Sequence, residues 1–368
     1  MLLLVGGGGI PNYGDELIIR NWLTWHDSHS TAARDIVVEG YRSRVLQSTF
    51  SDSFPRAKWS HNVRNARLAF REKGFWGALG GGLTSGDSET ASVKSAYAQA
   101  KSALVLHIHG GGYINQKWPS HAFVLGLAAA AHSASGTHAV ATGLGLGPLD
   151  DPNPDQQRLL DEVVEAFELI EVRDTFSYNY LQRNLTGSRR DKIIQGLDDA
   201  FLYPVPPQQS SRRTLHVSLR DDSAGEGMIQ RMSPEFVGAF ERHVFWACKP
   251  ADTVAYAKLA KKYPFFESAG VRQLLEEPRL GARDVMITER FHPHLMAARA
   301  GASGVFWSGS SYYDTKHGSL VELGSPFTPD EGGEFSVPEH GQASRMALND
   351  AMNVAQKQAV GWRISTLS

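Results

Sequence analysis

Arg290 and His292 stand two residues apart in the stretch TERFHPHLMAARAG, Thr288 to Gly301, and they are the pair in this sequence best suited to chemistry. A guanidinium is a permanent cation whose planar fork grips a carboxylate or a phosphate, and an imidazole changes charge near neutral pH. Together they suit a site that holds an anionic substrate and moves a proton on it. Asp284 to Ile287 (DVMI) is a short apolar run, and Leu295, Met296, Ala297, Ala298 and Ala300 make a small-residue helix pattern ending at Gly301. The expected order is therefore strand, turn, helix. Proline favours the first helical position and pushes the residue before it out of the α region, so Pro293 predicts an extended His292. Residues i and i+2 of an extended segment point the same way, which would set Arg290 and His292 on one side, beside the anion-attracting amides of a helix start.

Other chemistry-bearing positions also follow expected strands. Arg220 closes the run Thr214 to Leu219. Met1 to Val5 runs into GGGGIPNYGDE, where Asn12 and Asp15 precede a helix expected from Leu17. That turn lacks both the G-x-G-x-x-G spacing and the Walker lysine, so neither dinucleotide nor triphosphate binding is indicated. Its plainer reading is close packing of strand on helix, with Asp15 as a cap. Leu104 to His109 opens into a second glycine turn, Gly110 to Asn115, which presents Gly111, Gly112, Tyr113 and Asn115. A third runs from Gly143 to Asp150.

With 368 residues and 42% hydrophobic content, the chain is long enough for two cores. Its net charge of -2 excludes the broad positive field of a general nucleic-acid binder, and no polybasic block marks a membrane-surface patch. Cys248 is the one cysteine, which rules out an intrachain disulfide and suits a reducing compartment. MLLLVGGGGI is too short for a signal peptide or a membrane span, so a cytoplasmic location is expected. The 14 histidines include no H-x-x-x-H pair, and no metal is expected; His107 and His109 more simply share one strand face.

Strands and helices alternate throughout, the mark of parallel sheets with helices on both faces, whose ligands bind at strand carboxyl ends. Between Ile36 to Glu39 and a helix expected from Ser88 to Lys101, the glycine- and serine-rich stretch Gly77 to Glu89 reads as a loop. Pro204, Pro206 and Pro207 with QQSSRR read as a linker. The expected organisation is a first domain over 1–205, a second over 206–340, and a C-terminal helix and tail over 341–368. That helix, from about Gly341 to Gln358, could cross back onto the first domain.

In order, the chain carries GGG…NYGDE, HGGGY, VRD…S…L, GLDDAF, SLR, ERFHPHLMAARAG and YDTK…LG, from Gly6 to Gly324. Each motif is common, but the seven in sequence make a specific match: the chain resembles the polysaccharide pyruvyl transferase family. The resemblance implies an α/β protein of two facing Rossmann-like domains, glycosyltransferase-B-like. It implies transfer of the enolpyruvyl carbons of phosphoenolpyruvate onto sugar hydroxyls, with phosphoenolpyruvate as co-substrate and no further cofactor. By motif, Asp15, Arg220, Arg290 and His292 match the acidic residue, two arginines and histidine that the family places around phosphoenolpyruvate.

Read independently, these residues agree. A donor bearing both carboxylate and phosphate needs two placed cations, supplied by Arg220 and Arg290. His292 is the candidate acid/base, and Asp15 could orient or deprotonate the acceptor hydroxyl. Asn12, Asp15, Gly111, Gly112, Tyr113 and Asn115 are expected on the acceptor side, facing a sugar or lipid-linked glycan that would bring peripheral membrane association. His294 and the Gly77 to Glu89 stretch depart from the family's pattern. Plainer roles exist for each residue: Arg220 could pair with Asp221 or Asp222, His292 could cap a helix, Lys316 could be a solvated charge, and Arg173 stands open. The alternative functions are a glycosyltransferase using a nucleotide-sugar donor, and an inactive glycan-binding member of the family.

Overall fold

Short apolar runs flanked by glycine turns cannot bury both faces alone, and here they gather into parallel sheets covered by helices. The computed structural model describes residues 1–29, 35–205, 212–337 and 344–367. Among these, the first sheet contains β1 (Leu2–Val5), β2 (Ile36–Glu39), β3 (Ala57–Ser60), β4 (Val105–Ile108), β5 (His138–Leu144), β6 (Phe167–Val172) and β7 (Ile193–Gln195), in the order β3-β2-β1-β4-β5-β6-β7. The second contains β8 (Thr214–Ser218), β9 (Arg242–Ala247), β10 (Glu267–Gly270), β11 (Val285–Thr288), β12 (Ser303–Phe306) and β13 (Thr328–Pro329), in the order β10-β9-β8-β11-β12-β13. All the pairings are parallel. The strand order reverses between β1 and β4 in one sheet and between β8 and β11 in the other, and such switch points open the crevices in which α/β sheets hold ligands.

Contacts divide the chain into a first unit, Met1–Ile10, Ile18–Leu202 and Ala355–Ser368, and a second unit, Pro11–Leu17 and Tyr203–Val354. Each has its own core, one around Leu3, Leu106, Ala141 and Ile170, the other around Leu215, Val217, Phe245 and Ile287. This division differs from the sequence boundaries in one respect that matters for the site. Asn12 and Asp15 cluster with the second unit, because Tyr13 N–H donates to the Cys248 carbonyl (2.9 Å) and its ring meets Trp246 edge-on at 5.4 Å. Residues 206–211 of the expected linker and the start of the helix expected from Gly341 lie outside the described residues. The last helix runs Asp350–Ser365, and Trp25 Nε1 donates to Ser365 Oγ (3.2 Å) within the first unit. Among the described residues no helix is long and apolar enough to cross a membrane.

Several element boundaries correct the sequence reading. The first helix begins at Tyr13, not Leu17, which brings Gly14, Asp15 and Glu16 into its first turn. Gly77 to Glu89 is not a loop: a helix spans Gly74–Leu83 and a 3-10 turn spans Ser85–Asp87. Its glycines serve close packing, since a Cβ on Gly82 would stand 2.2 Å from the Phe123 carbonyl oxygen and one on Gly126 would stand 2.1 Å from that of Leu79.

Candidate functional site

β8 and β11 lie side by side with Ser218 opposite Thr288, so Arg220 and Arg290 leave the sheet at matching positions, two residues past a register pair at the switch point. Each arginine is fixed by a buried carboxylate. Glu289, fully buried, accepts from the Arg220 backbone N–H (2.7 Å) and from its Nη2 (2.9 Å), and Asp222 adds a contact at 3.2 Å. The Arg220 guanidinium lies near the rings of Trp307 (5.7 Å) and Tyr313 (5.0 Å). Asp252, also buried, pairs with Arg290 Nη2 and accepts the Lys249 N–H (3.0 Å). The backbone N–H of Arg290 donates to Thr288 Oγ1 (2.8 Å). Burial pushes the Glu289 and Asp252 carboxyls above the ordinary carboxylate range, and the guanidinium beside each one opposes that shift. Both arginines keep a buried Nε–H that no acceptor among the described residues takes. The structure thus brings the two predicted cations to one sheet edge and adds two positioning carboxylates that the sequence reading had not singled out. Glu289 was visible beside Arg290, but nothing in the sequence near Asp252 connects it with Arg290.

His292 is helical rather than extended. The helix spans Phe291–Arg299 with Arg290 as its extended N-cap (φ -105°, ψ 131°), and its first bond runs from His294 N–H to the Arg290 carbonyl (3.2 Å). Pro293 therefore sits third in the helix. It fits because the first amides of a helix have no intrahelical acceptor, so a missing N–H costs nothing there. The half-buried His292 ring packs on the start of the first helix: a Cβ on Gly14 would fall 1.8 Å from His292 Nδ1. Asp15, next along, accepts from Asn12 Nδ2 (2.6 Å) and is half-buried. The NYGDE motif and the ERFHPH motif, far apart in sequence, therefore meet within the second unit.

The remaining predicted positions belong to the first unit. After β4, Gly111 has φ +140°, a backbone conformation that L side chains rarely adopt, and its carbonyl accepts from Gly145 N–H (3.1 Å). Tyr113 O–H donates to the His109 carbonyl (2.7 Å). Asn115 is fully buried and spends its amide inside the loop, donating to the carbonyls of Gly112 (3.1 Å) and Gly147 (3.0 Å) while accepting from Lys117 N–H (3.0 Å). Behind the turn, Asp199 accepts from Gly110 N–H (2.6 Å) and Thr142 Oγ1 (3.0 Å), and buried Lys357 reaches Asp199 Oδ1 (2.5 Å) and Glu171.

Plainer roles account for several other residues. Arg173 forms a buried pair with Asp198 (2.5 Å). Lys316 is half-buried over the Tyr312 ring at 4.1 Å and bonds its hydroxyl. His294 is a core residue, bonded to His317 Nδ1 (2.8 Å) and Ser325 Oγ (2.7 Å), and burial holds its pKa well below the usual range. Cys248 is buried, and that pushes its thiol up to about 12, which removes it as a nucleophile at neutral pH. Among the described residues no cluster of histidine, cysteine or carboxylate side chains could hold a metal ion.

Two Rossmann-like α/β units of this kind define the glycosyltransferase-B class of fold. The UDP-GlcNAc 2-epimerase from Methanocaldococcus jannaschii shares it at a TM-score of 0.58 and 11% identity, with 100% of each chain covered. UDP-GlcNAc 2-epimerase from Neisseria meningitidis, solved with UDP-GlcNAc bound, does so at 0.53 and 10% identity, covering 100% of this chain and 95% of that one. The family model described as polysaccharide pyruvyl transferase matches residues 12–306, and the chain belongs to that family. Membership makes it a transferase of polysaccharide biosynthesis with a sugar or glycan acceptor. No curated protein matches the sequence.

Proposed function

We propose that the protein transfers the enolpyruvyl carbons of phosphoenolpyruvate to sugar hydroxyls, forming a pyruvate ketal and releasing phosphate. The observation that carries this is the pair Arg220 and Arg290, set at matching positions of the β8–β11 switch point, each with a buried Nε–H lacking an acceptor among the described residues. An unsatisfied buried donor costs about 1–3 kcal/mol, a cost that an anionic ligand removes. Two such donors on two guanidiniums suit a substrate bearing both a carboxylate and a phosphate.

The acid/base role is assigned to His292, two residues beyond Arg290 in the same helix start. Protonated, it delivers a proton to C3 of the enol as an acceptor hydroxyl oxygen bonds to C2, and Asp15 takes the hydroxyl proton. Phosphate then departs from C2, and a second hydroxyl of the sugar closes the ketal while its proton passes to His292. Arg220 and Arg290 neutralise the charge that builds on the leaving phosphate. Gly111, Gly112 and Tyr113 of the first unit are assigned to the acceptor. Incubation with phosphoenolpyruvate and a panel of glycosides tests the reading by release of inorganic phosphate. Release of nucleotide from a sugar nucleotide instead would replace it with glycosyl transfer, and release of neither would leave a glycan-binding role.

A further inference from the structure

The first unit holds a second cationic site, separate from Arg220 and Arg290. It lies at the carboxyl edge of the first sheet, where a pocket is lined by Gly6, Tyr41, Arg64, Arg67, Tyr113 and His121. Arg64 and Arg67 stand three residues apart on the helix Asn62–Leu68, so they share one face, and both guanidiniums lie 5.3 Å from the centre of the Tyr41 ring. Arg67 is 9% exposed and donates to Ser120 Oγ (3.0 Å), a neutral acceptor. Arg64 has a buried Nε–H with no acceptor among the described residues. Neither has a carboxylate partner among the described residues. Glu39 also lines the pocket, but its carboxylate accepts the backbone N–H groups of Asn62 (3.0 Å) and Val63 (3.2 Å).

Tyr41 O–H and His121 Nε2 hydrogen-bond at 2.7 Å, and the Tyr113 ring lies 5.0 Å from that of His121. Burial, with Arg67 adding to it, keeps His121 neutral. The pocket therefore presents two cations that no carboxylate of the described residues pairs with, flanked by aromatic faces and a neutral imidazole. Burying a charge without a partner is costly, so such a pair is a demand for an anion from outside the protein. The neighbouring rings supply flat apolar surface of the kind on which a sugar ring packs.

We propose that Arg64 and Arg67 bind an oxyanion carried by the acceptor, a phosphate or a carboxylate, while Tyr41 and Tyr113 pack against the adjoining sugar; this rests on the transfer reading above. The site is then a selectivity device: it admits acidic or phosphorylated glycans and discriminates against neutral ones of the same shape.

The test is calorimetric, on the full chain. Inorganic pyrophosphate, methyl glucuronide and neutral methyl glucoside are titrated into wild type, Arg64→Gln and Arg290→Lys, with phosphoenolpyruvate affinity measured in parallel. Arg64 is half-buried, so its replacement should leave the thermal transition near that of wild type. Expected is binding of at least one anionic probe and none of the neutral glucoside, weakened about ten-fold or more by Arg64→Gln and little changed by Arg290→Lys, the size of one charge-assisted hydrogen bond. Preference for pyrophosphate assigns the oxyanion to a phosphate, and preference for the glucuronide assigns it to a sugar acid. Equal affinity in wild type and Arg64→Gln, or no binding of either anion, overturns the proposal. Absence of phosphoenolpyruvate binding together with Arg64-dependent anion binding sinks the transfer reading and leaves the oxyanion site standing.

Discussion

Replacing Gly14 with alanine should disable the enzyme through a residue that carries no functional group. The new methyl would lie 1.8 Å from His292 Nδ1, whereas ordinary contact begins near 3.4 Å, so ring and methyl must separate by about 1.6 Å. A misplacement of about 1 Å costs roughly 10²-fold in rate, and loss of a general acid/base costs roughly 10²–10⁴-fold. Gly14→Ala should thus lower kcat by about 10²-fold or more. Stability should change less than the clash alone implies, because alanine gains about 1 kcal/mol over glycine within a helix. The assay is phosphate release from phosphoenolpyruvate, with circular dichroism to confirm folding. The decisive measurement is a cycle with His292→Ala: once the imidazole is gone, adding Gly14→Ala should cost little more, since both changes remove one interaction. If the two losses multiply, or if Gly14→Ala alone retains near-normal turnover, the contact does not position a catalytic ring.

Three further outcomes are expected. Arg290→Lys should weaken phosphoenolpyruvate binding by about ten-fold or more, because one ammonium cannot both pair with Asp252 and offer a fork to the substrate; calorimetry showing unchanged affinity would remove Arg290 from the donor site. His26 and His317 are buried with pKa values near 3, against 6.5 in the unfolded chain, so the unfolded state alone takes up their protons as pH falls from about 6.5 towards 3. Stability should be fully present above pH 6.5 and decline below it, and His26→Gln should lessen the slope of unfolding free energy against pH by about one proton; an unaltered slope would mean His26 does not titrate on unfolding. Lys357→Met should lower the denaturation midpoint strongly, by about 3–5 kcal/mol of stability, because Glu171 and Asp199 would stay buried without their cation. A midpoint equal to that of wild type would show that the pair is neutralised some other way.

The alternation of strands and helices was legible because each central strand is a short apolar run ending in glycine or a charge. Arg220 and Arg290 could be placed at strand ends for the same reason. Helix starts were harder to read. Tyr13 opens a helix because its ring and amide dock on Trp246 and Cys248, partners more than 200 residues away, and no local signal announces them. The helix Gly74–Leu83 was hidden by its glycines, whose poor intrinsic propensity is overridden by a close crossing with Phe123–Ser135. Pro293 suits a first helical position and a third one equally, since both are open to a residue without an N–H, and it occupies the third. Asp252 stayed invisible as a site residue because only the tertiary fold brings it to Arg290.

The ion triad under the 110–115 turn constrains how the chain can mature during synthesis. Glu171 and Asp199 both precede the second sheet in the chain, yet the ammonium that neutralises them arrives with Lys357, 186 residues after Glu171. At about 5–20 residues per second, the nascent first unit must wait roughly 8–30 s between completing its last strand segment and receiving that cation. Throughout that interval its glycine turn rests on an unneutralised pair of carboxylates, so the emerging polypeptide stays unsettled there. Folding from the ribosome is then not strictly N-terminal first: the leading unit closes only after the trailing one has been made.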